Sequence, residues 1–377
     1  MSVAARLAAT VVAVSGLLIA AAAPVHAHAG DTVEATNYRT SIVVPEQLAG
    51  MRLEVVDGGD SLRLTNPTDD TVTILGYQGE PYLKVGPDGV FENVRSPAVF
   101  LNQDRYAQSP VPESADPAAE PDWHKISSGD TVTWHDHRVH WMSRDLPAQV
   151  IEDPGSEHMI IPEWQVDLLV GDEEVAVTGD LVWVPGPSPL PWLALVIVLA
   201  AVVAVCAFWS RWALAFAVAL IVLLVFDLVH VIGNWGGPSV LIVTIISWLV
   251  AAAALVRLFQ RDRDGAFWSI LAGLFFFFFG GVADFAVLNN SIVVFEFGPA
   301  LVRTAVAVSL GVGAGLSIGG LIVLVRTRAE AHEQAGSEPE GAVFGGHEPE
   351  VSETEPESEP GVSGSEDGAG RAEAVAD

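Results

Sequence analysis

The segment from Trp134 to Met142 contains the residue types that bind transition metals. It reads Trp-His-Asp-His-Arg-Val-His-Trp-Met, and it holds His135, His137 and His140, three of the chain's 10 histidines. Imidazole is the commonest transition-metal ligand, and a thioether such as that of Met142 adds a preference for soft Cu(I). The segment therefore predicts a metal site, most suited to copper, with the three histidines as main ligands and Met142 as an auxiliary ligand.

The spacing of the histidines places a condition on this site. If the segment continues a β-strand, side chains alternate, and His135 and His137 share a face at roughly 6.6–7 Å along the backbone. His140 has the opposite parity and joins them only if the chain turns at Arg138-Val139. Asp136 is better suited to orient a ring N–H than to bind the metal. In the alternative interpretation the rings only pack on the sheet and form hydrogen bonds with neighbouring acids such as Asp136.

The N-terminus has the pattern of a secretory signal peptide over residues 1–27. Arg6 gives the positive start, an apolar stretch follows, and cleavage after Ala27 makes His28 the first residue of the mature chain. Cleavage after Ala29 also fits the small-residue rule. A free amino group has a pKa near 7.7–8.0, so with the His28 ring it forms a chelate for Cu(II). The alternative is a frayed terminus without a ligand.

Two further features bear on the metal. His158-Met159 repeats the combination of imidazole and thioether and is a further ligand pair. Cys206 is the only cysteine in the chain and lies in the first long apolar stretch. The exported part therefore has no disulfide, and a blue-copper centre, which needs a thiolate, is excluded.

Residues 28–188 are expected to form an exported all-β domain, an immunoglobulin/cupredoxin-like sandwich, because short alternating runs are separated by turn residues. Residues 107–122 are predicted to be a long surface loop, and no helix is expected in this domain. The predicted strands are Arg39–Val44, Met51–Val56, Ser61–Thr65, Thr71–Tyr77, Tyr82–Val85, Thr131–His135, Glu163–Val170 and Val175–Val184.

Two family resemblances support this fold. Ser128-Gly129-Asp130-Thr131-Val132-Thr133-Trp134 resembles the cupredoxin strand that precedes a ligand histidine, although the downstream cysteine of that family is missing. The layout is also similar to that of CopC-type copper-resistance proteins, with a signal peptide, a mature N-terminus that begins with His, and a closing strand like Val175–Val184. Some of those proteins carry a fused helical membrane domain. The resemblance implies copper binding outside the cytoplasm.

From Pro191 onward the chain has apolar runs of the ~20 residues needed to cross a bilayer. The predicted five-helix transmembrane domain covers residues 189–326. Arginines follow the first, third and fifth spans, so the positive-inside rule predicts a multi-pass plasma-membrane protein with the β domain outside and the C-terminus in the cytoplasm. The five predicted spans are 191–209, 212–232, 239–258, 266–288 and 299–325.

Most of the negative charge of this chain lies in two segments. The formal net charge of −29 resides mainly in residues 28–188 and in the C-terminal tail. An acidic exported domain repels nucleic acid and attracts cations. Residues 327–377, rich in Glu, Pro, Gly and Ser, are predicted to form a disordered acidic cytoplasmic tail.

Three ionisable residues fall within the predicted spans. Asp227 and His230 are three residues apart, hence on one helical face, and Asp284 lies late in the fourth span. Because such residues are costly in a bilayer, they are expected to form a second, weaker metal site. The alternative is a structural salt bridge, for example between Asp284 and Arg303.

These features favour a membrane-anchored copper-binding protein that passes metal to or from a membrane site or a partner, such as a copper chaperone or an envelope protein. Two alternatives stay open. One is an envelope interaction protein whose sandwich docks a partner without metal, and the other is a small solute or ion permease. The sequence contains no haem-attachment, phosphate-loop, zinc-protease or serine-nucleophile motif, so an enzyme is not expected.

Overall fold

The computed structural model describes residues 34–45, 48, 50–233, 238–261 and 264–336. The predicted signal peptide, His28 and the tail from residue 337 onward lie outside these residues. Within residues 34–184 the chain folds into two antiparallel sheets, here called the β domain. Residues 190–330 are mainly helical and are called the helical domain.

The β domain contains ten strands. A seven-stranded sheet has the order β1-β10-β9-β4-β5-β6-β7, and a three-stranded sheet has the order β2-β3-β8. The strands are β1 Tyr38–Val44, β2 Arg52–Val56, β3 Ser61–Thr65, β4 Val72–Leu75, β5 Pro81–Gly86, β6 Gly89–Asn93, β7 Trp123–Ser127, β8 Thr131–His135, β9 His158–Val170 and β10 Glu173–Trp183.

The two sheets share one hydrophobic core. Leu62 and Leu64 alternate with polar residues on β3, and Val132 and Trp134 do the same on β8, so all four side chains are buried on one face of the small sheet. They belong to the same core as buried residues of the large sheet, including Leu168 on β9. Removal of this apolar surface from water stabilises the domain without a disulfide.

Four short elements were not predicted from the sequence. Strand β6 follows a tight hairpin at Gly89, whose φ of 110° suits glycine. Strand β7 has mostly exposed residues, so its sequence lacks an apolar alternation. Two five-residue helices, α1 Pro97–Leu101 and α2 Ala148–Glu152, are too short to show a helical period. Helix α1 begins where the Ser96 hydroxyl accepts a hydrogen bond from the Ala98 amide.

In the part of the chain that the structure describes, five helices are long and apolar enough to cross a membrane, as predicted, and the chain is thus a multi-pass membrane protein. Their buried faces form a core of their own within the helical domain. The helices are α3 Leu190–Val205, α4 Trp212–Gly233, α5 Pro238–Phe259, α6 Asp264–Phe277 and α7 Pro299–Gly336. A 3₁₀ turn extends α3 to Phe208, and a π-helical turn extends α6 to Val282.

The structure changes two predicted boundaries. The fourth span ends at Val282 rather than at residue 288, because the π turn at Gly280-Gly281 is followed by a separate 3₁₀ turn, Phe285–Leu288. Asp284 therefore follows the fourth helix instead of lying within it. The fifth helix continues beyond residue 325 to Gly336, through good helix formers and an Arg326–Glu330 ion pair one turn apart.

Helix α7 is the most buried of the five, and its glycines permit close packing on two sides. A Cβ atom at Gly311 would lie 2.8 Å from the Leu199 Cβ on α3. A Cβ atom at Gly313 would lie 2.7 Å from the Gly273 carbonyl on α6. Neither helix could approach α7 so closely if these positions carried side chains.

The β domain is joined to the helical domain by hydrogen bonds as well as by the chain. Thr36 and Ile292 exchange backbone hydrogen bonds of 2.9 and 2.8 Å. The Asn37 side-chain oxygen accepts a hydrogen bond of 2.8 Å from the Ser291 amide, and the Ser291 hydroxyl donates to the Val184 carbonyl. These contacts, here called the junction, fix the start of β1 and the end of β10 against the loop between α6 and α7.

Candidate metal centre

His135, His137 and His140 converge on one point of the β domain. Each offers one ring nitrogen, and these three atoms all lie within 4.8 Å of one another. The ring centroids are separated by 4.9 Å for His135 and His137, 4.6 Å for His135 and His140, and 5.5 Å for His137 and His140. Among the residues that the structure describes, they are the one group of three or more His, Cys, Asp or Glu residues with this arrangement.

A tight turn brings His140 to the other two rings. Strand β8 ends at His135, which pairs with Ser61 on β3. The Val139 amide then donates to the Asp136 carbonyl at 3.2 Å, and the Val139 side chain is fully buried. Thr40 on β1 donates its hydroxyl proton to the Val139 carbonyl at 2.7 Å. The turn that the spacing of the histidines required is therefore present. It brings the His140 side chain to the side on which His135 and His137 lie.

Asp136 holds this turn in place, and the prediction that it orients a histidine ring was wrong. Its carboxylate is fully buried and accepts hydrogen bonds from the Trp134 indole at 3.0 Å and from Arg138 at 2.7 and 2.8 Å. Arg138 in turn donates to the Leu75 carbonyl at 3.0 Å. The carboxylate faces the core and the guanidinium because an unpaired buried charge is costly.

Backbone carbonyls orient two of the rings instead. The His137 Nε2 lies 2.8 Å from the Asp104 carbonyl oxygen, and the His140 Nδ1 lies 3.2 Å from the Trp141 carbonyl oxygen. A carbonyl only accepts, so these two ring nitrogens carry the protons. The lone pairs consequently reside on His137 Nδ1 and His140 Nε2 and are available to a metal ion.

Tyr77 fixes the position of His137. Its hydroxyl accepts a hydrogen bond of 3.0 Å from the His137 amide and donates one to Asn102. The Tyr77 and His137 rings stack with centroids 5.9 Å apart and an angle of 17° between their planes. Tyr77, Asn102 and the Asp104 carbonyl were all missed by sequence reasoning, because they are distant in sequence and none of them is a typical metal ligand.

Burial keeps two of the imidazoles neutral. Desolvation, with contributions from the charges of His137 and Arg105, lowers the pKa of His135 from 6.5 to about 4. Desolvation, together with the charges of Arg105 and His135, lowers the pKa of His140 from 6.5 to about 3. At neutral pH both rings therefore offer lone pairs rather than positive charge, as metal binding requires.

A cavity of about 360 Å³ lies beside this group. It is lined in part by Trp141, which follows His140, by Arg105, and by Thr36 of the junction. Arg105 forms an ion pair with Asp60 and was not predicted as part of the site. The cavity thus lies between the segment that carries the histidines and the junction with the helical domain.

The remaining predicted ligands lie elsewhere or stay predictions. The His158 Nε2 forms a hydrogen bond of 2.6 Å with the Asp153 carbonyl, and His158 is not a member of the three-histidine group. Met159 pairs with Val182 on β10 and is 47% exposed. Met142 is partly buried two residues beyond His140 and stays an auxiliary ligand by prediction. His28 lies outside the described residues.

The polar residues of the helical domain form pairs rather than a three-ligand group. Asp227 accepts a hydrogen bond of 2.6 Å from the Trp248 indole, and the His230 Nε2 lies 3.3 Å from an Asp284 carboxylate oxygen. In the described residues Asp284 forms an ion pair with His230, whereas Arg303 was the example of a partner suggested from the sequence. Arg303 donates to the carbonyls of Val287 and Asn290.

Comparisons of this chain with protein-family models, with curated proteins and with solved structures give no match. The chemistry of the three-histidine group is therefore inferred from its own atoms.

Proposed function

We propose that this chain is a membrane-anchored copper-binding protein whose metal site is formed by His135, His137 and His140. The observation that carries the proposal is the convergence of three ring nitrogens within 4.8 Å of one another. Hydrogen bonds to carbonyls place the ring protons of His137 and His140 on the nitrogens that face those carbonyls, so the other ring nitrogen of each carries the lone pair. Histidine rings that only packed on the sheet would not need to bring their nitrogens to a common position.

The spacing of the rings is close to what a metal ion needs. Two nitrogens bound to one ion at about 2.0–2.1 Å in tetrahedral geometry lie about 3.3 Å apart. The Nε2 atoms of His135 and His140 are 3.0 Å apart. This pair already has nearly the spacing of two ligands on one ion, and the third nitrogen, within 4.8 Å of the others, would have to move closer. The partly exposed His135 and His137 leave a side of the group open to solvent.

Copper suits this donor set better than other common metals. For nitrogen ligands, divalent affinity rises along the first-row series to a maximum at copper, and zinc binds less tightly. Met142, if it approaches, adds a soft ligand that favours Cu(I). The three ligands are neutral, so the site itself adds no negative charge, while the acidic β domain raises the local concentration of cations.

The proposal places the β domain, as an immunoglobulin/cupredoxin-like sandwich, on the exported face of the plasma membrane. The arginines at the ends of the spans support this orientation by the positive-inside rule. The junction supports a transfer role, because it holds the metal-binding domain against the helical domain through Thr36, Asn37 and Ser291. The metal would pass to or from a membrane site or a soluble partner such as a chaperone.

The test is metal titration of the full-length protein in lipid nanodiscs with Cu(I), Cu(II) and Zn(II). The variant H135A/H137A/H140A is compared with a matched control, H124A/H158A, which removes an exposed histidine and a partly buried one, both outside the group. The proposal expects binding tighter than micromolar in the wild type and the control, and its loss in the triple variant.

Equal, weak binding by all three proteins would reject the metal site. The envelope docking protein and the permease would then become the leading interpretations. Tight binding of Zn(II) with no preference for copper would support the three-histidine site but would contradict the choice of copper as its metal.

A further inference from the structure

A second group of polar side chains lies inside the helical domain. Asp227 on α4 is only 7% exposed, and its carboxylate accepts the Trp248 indole hydrogen from α5. One turn later on α4, the His230 ring contacts the Asp284 carboxylate at 3.3 Å. Ionisable groups in apolar surroundings are costly and mark functional sites more often than they support a fold.

The His230 ring has one satisfied nitrogen and one that is not. Its Nε2 faces Asp284, and since a carboxylate accepts hydrogen bonds, this nitrogen carries a proton. Its Nδ1 is buried and has no hydrogen-bond partner in the part of the chain that the structure describes. A buried ring nitrogen without a hydrogen-bond partner destabilises the fold, because it has lost its hydrogen bond to water. In the neutral ring this nitrogen is a free lone pair, and it can accept a proton.

The negative charge of the two carboxylates in this group would be offset by a cation. Asp227 and Asp284 contribute two carboxylates from α4 and from the segment after α6. Arg303 on α7 directs its guanidinium to the carbonyls of Val287 and Asn290 instead.

The other described elements around His230 contribute no positive charge that would offset the two carboxylates. Helix α5 contributes the neutral Trp248, α7 contributes the neutral Ser309, and Glu296, from the segment before α7, is exposed. A positive imidazolium between the two carboxylates would offset their desolvation.

The three side chains form a series from the surface to the interior. The Asp284 side chain is 31% exposed and that of His230 is 12% exposed, and Asp227 lies deeper at 7%. Asp284 also precedes by a few residues the loop that forms the junction, so the series begins at the end of the helical domain that carries the β domain. Asp284 is thus the most exposed of the three residues, and His230 contacts it directly.

The backbone at the end of the fourth span passes close to the Asp227 side chain. The π-helical turn Phe278–Val282 places Gly280 next to it. A Cβ atom at Gly280 would lie 3.5 Å from the Asp227 Oδ1 and 3.1 Å from the Ser309 hydroxyl oxygen. Single π turns in helices are found frequently at functional sites.

From this geometry we propose that Asp227, His230 and Asp284 form a proton-binding site at the end of the helical domain that carries the β domain. One proton, supplied by hydronium from that side, forms an N–H bond at the His230 Nδ1. The product is an imidazolium held between Asp284 and Asp227. The site does not depend on metal binding by the β domain, since it uses different residues in a different domain.

A metal ion is a poorer occupant of this site. His230 and Asp284 give two ligands, Asp227 is engaged by Trp248, and the described residues contain one three-ligand group, which is the one in the β domain. A structural metal site usually has four ligands, and an open one usually has three from the protein.

The experiment is solid-state NMR of the full-length protein in lipid nanodiscs, with ¹⁵N-labelled histidine. Ring nitrogen shifts distinguish imidazole from imidazolium, and His230→Gln identifies the signal of His230 by its loss. The variants D284N and D227N test the two carboxylates. Ser269→Ala, a buried polar substitution elsewhere on α6, is the matched control.

The proposal expects the His230 signal to change from imidazole to imidazolium as the sample is acidified. It expects the imidazolium fraction at a fixed acidic pH to fall at least several-fold in D284N, to fall less in D227N, and to be unchanged in S269A. A neutral His230 at every pH, or an imidazolium fraction insensitive to both aspartates, would overturn it. A shift of the His230 signal on addition of Zn(II) or Cu(I) that persists in H135A/H137A/H140A would overturn it in favour of a metal site.

Discussion

The Nε2 atoms of His135 and His140 lie 3.0 Å apart, although the two residues are five positions apart on either side of a turn. At this distance one ring donates a hydrogen bond to the other, or both bind the same ion. The two rings are held there by β8 on one side and by the buried Val139 and Asp136 on the other. In the copper site that we propose, two ligands would therefore already be close together before an ion arrives, which would lower the cost of binding.

Removal of single histidines should separate binding from stability. His140→Ala removes a ring that is 2% exposed, so it should weaken copper binding by more than tenfold and also lower the free energy of unfolding by about 2 kcal/mol or more. His137→Ala should weaken binding by a similar factor with a smaller loss of stability, because His137 is only partly buried. Competition titration with a copper chelator and thermal unfolding measure the two effects. Unchanged copper affinity in both variants would contradict the site.

Asp136 should matter for the site without touching the ion. Asp136→Asn leaves Arg138 without its buried partner, and breakage of a buried ion pair costs about 3–5 kcal/mol. We expect a large loss of stability and weaker metal binding, because the turn that carries His140 loosens. Asp145→Asn, at an exposed position close by, is the control and should leave both unchanged. Hydrogen exchange of residues 131–142 would localise the effect, and exchange that stays slow in D136N would contradict this role.

Acid should destabilise the β domain through the same rings. His135 and His140 have folded pKa values of about 4 and 3, below the value near 6.5 of an unfolded chain. Between these limits the unfolded state binds more protons, so stability falls as pH decreases below about 6.5 and is unaffected by these groups above it. Thermal unfolding of metal-free full-length protein should show this trend, and the variant H135N/H140N should show a flatter one. Equal pH dependence in the two proteins would be evidence against neutral buried rings.

The junction should be sensitive to a single methyl group. A Cβ atom at Gly186 would collide with the Asn289 carbonyl oxygen. Gly186→Ala should therefore separate the two domains locally and increase hydrogen exchange at residues 34–38 and 289–292. Gly129→Ala is the matched control, since the nearest atom to its Cβ would lie at an ordinary 3.5 Å. Exchange at the junction that is the same in G186A and G129A would show that the contact is dispensable.

Packing of the helical domain should depend on the contact between Gly273 and Gly313. A Cβ atom at Gly273 would lie 2.5 Å from the Gly313 carbonyl oxygen, so Gly273→Val should force α6 and α7 apart. We expect a lower unfolding temperature in detergent. Ala252→Val on the exposed face of α5 should leave that temperature nearly unchanged. Equal stability of the two variants would show that this approach of the helices is not required.

The sequence by itself determined the features that depend on local patterns. Runs of ~20 apolar residues identified all five spans, because length and hydropathy are properties of neighbouring residues. Alternation identified the strands with one buried face, such as Ser61–Thr65 and Thr131–His135, with their observed bounds. The types of residue in the segment 134–142 were enough to identify the three histidines, though not the copper that we propose they bind.

Only the tertiary structure decided how those side chains are arranged. The turn at 136–139 depends on Thr40 and on the Arg138 contact with Leu75, both far away in sequence, so no local pattern encodes it. The same reason explains why Asp136 pairs with Arg138 rather than with a histidine, and why the salt bridge of Asp284 is with His230 rather than with Arg303, the example offered from the sequence. A buried charge takes the partner that the fold places beside it, and that partner is set by packing across sheets and helices rather than by spacing along the chain.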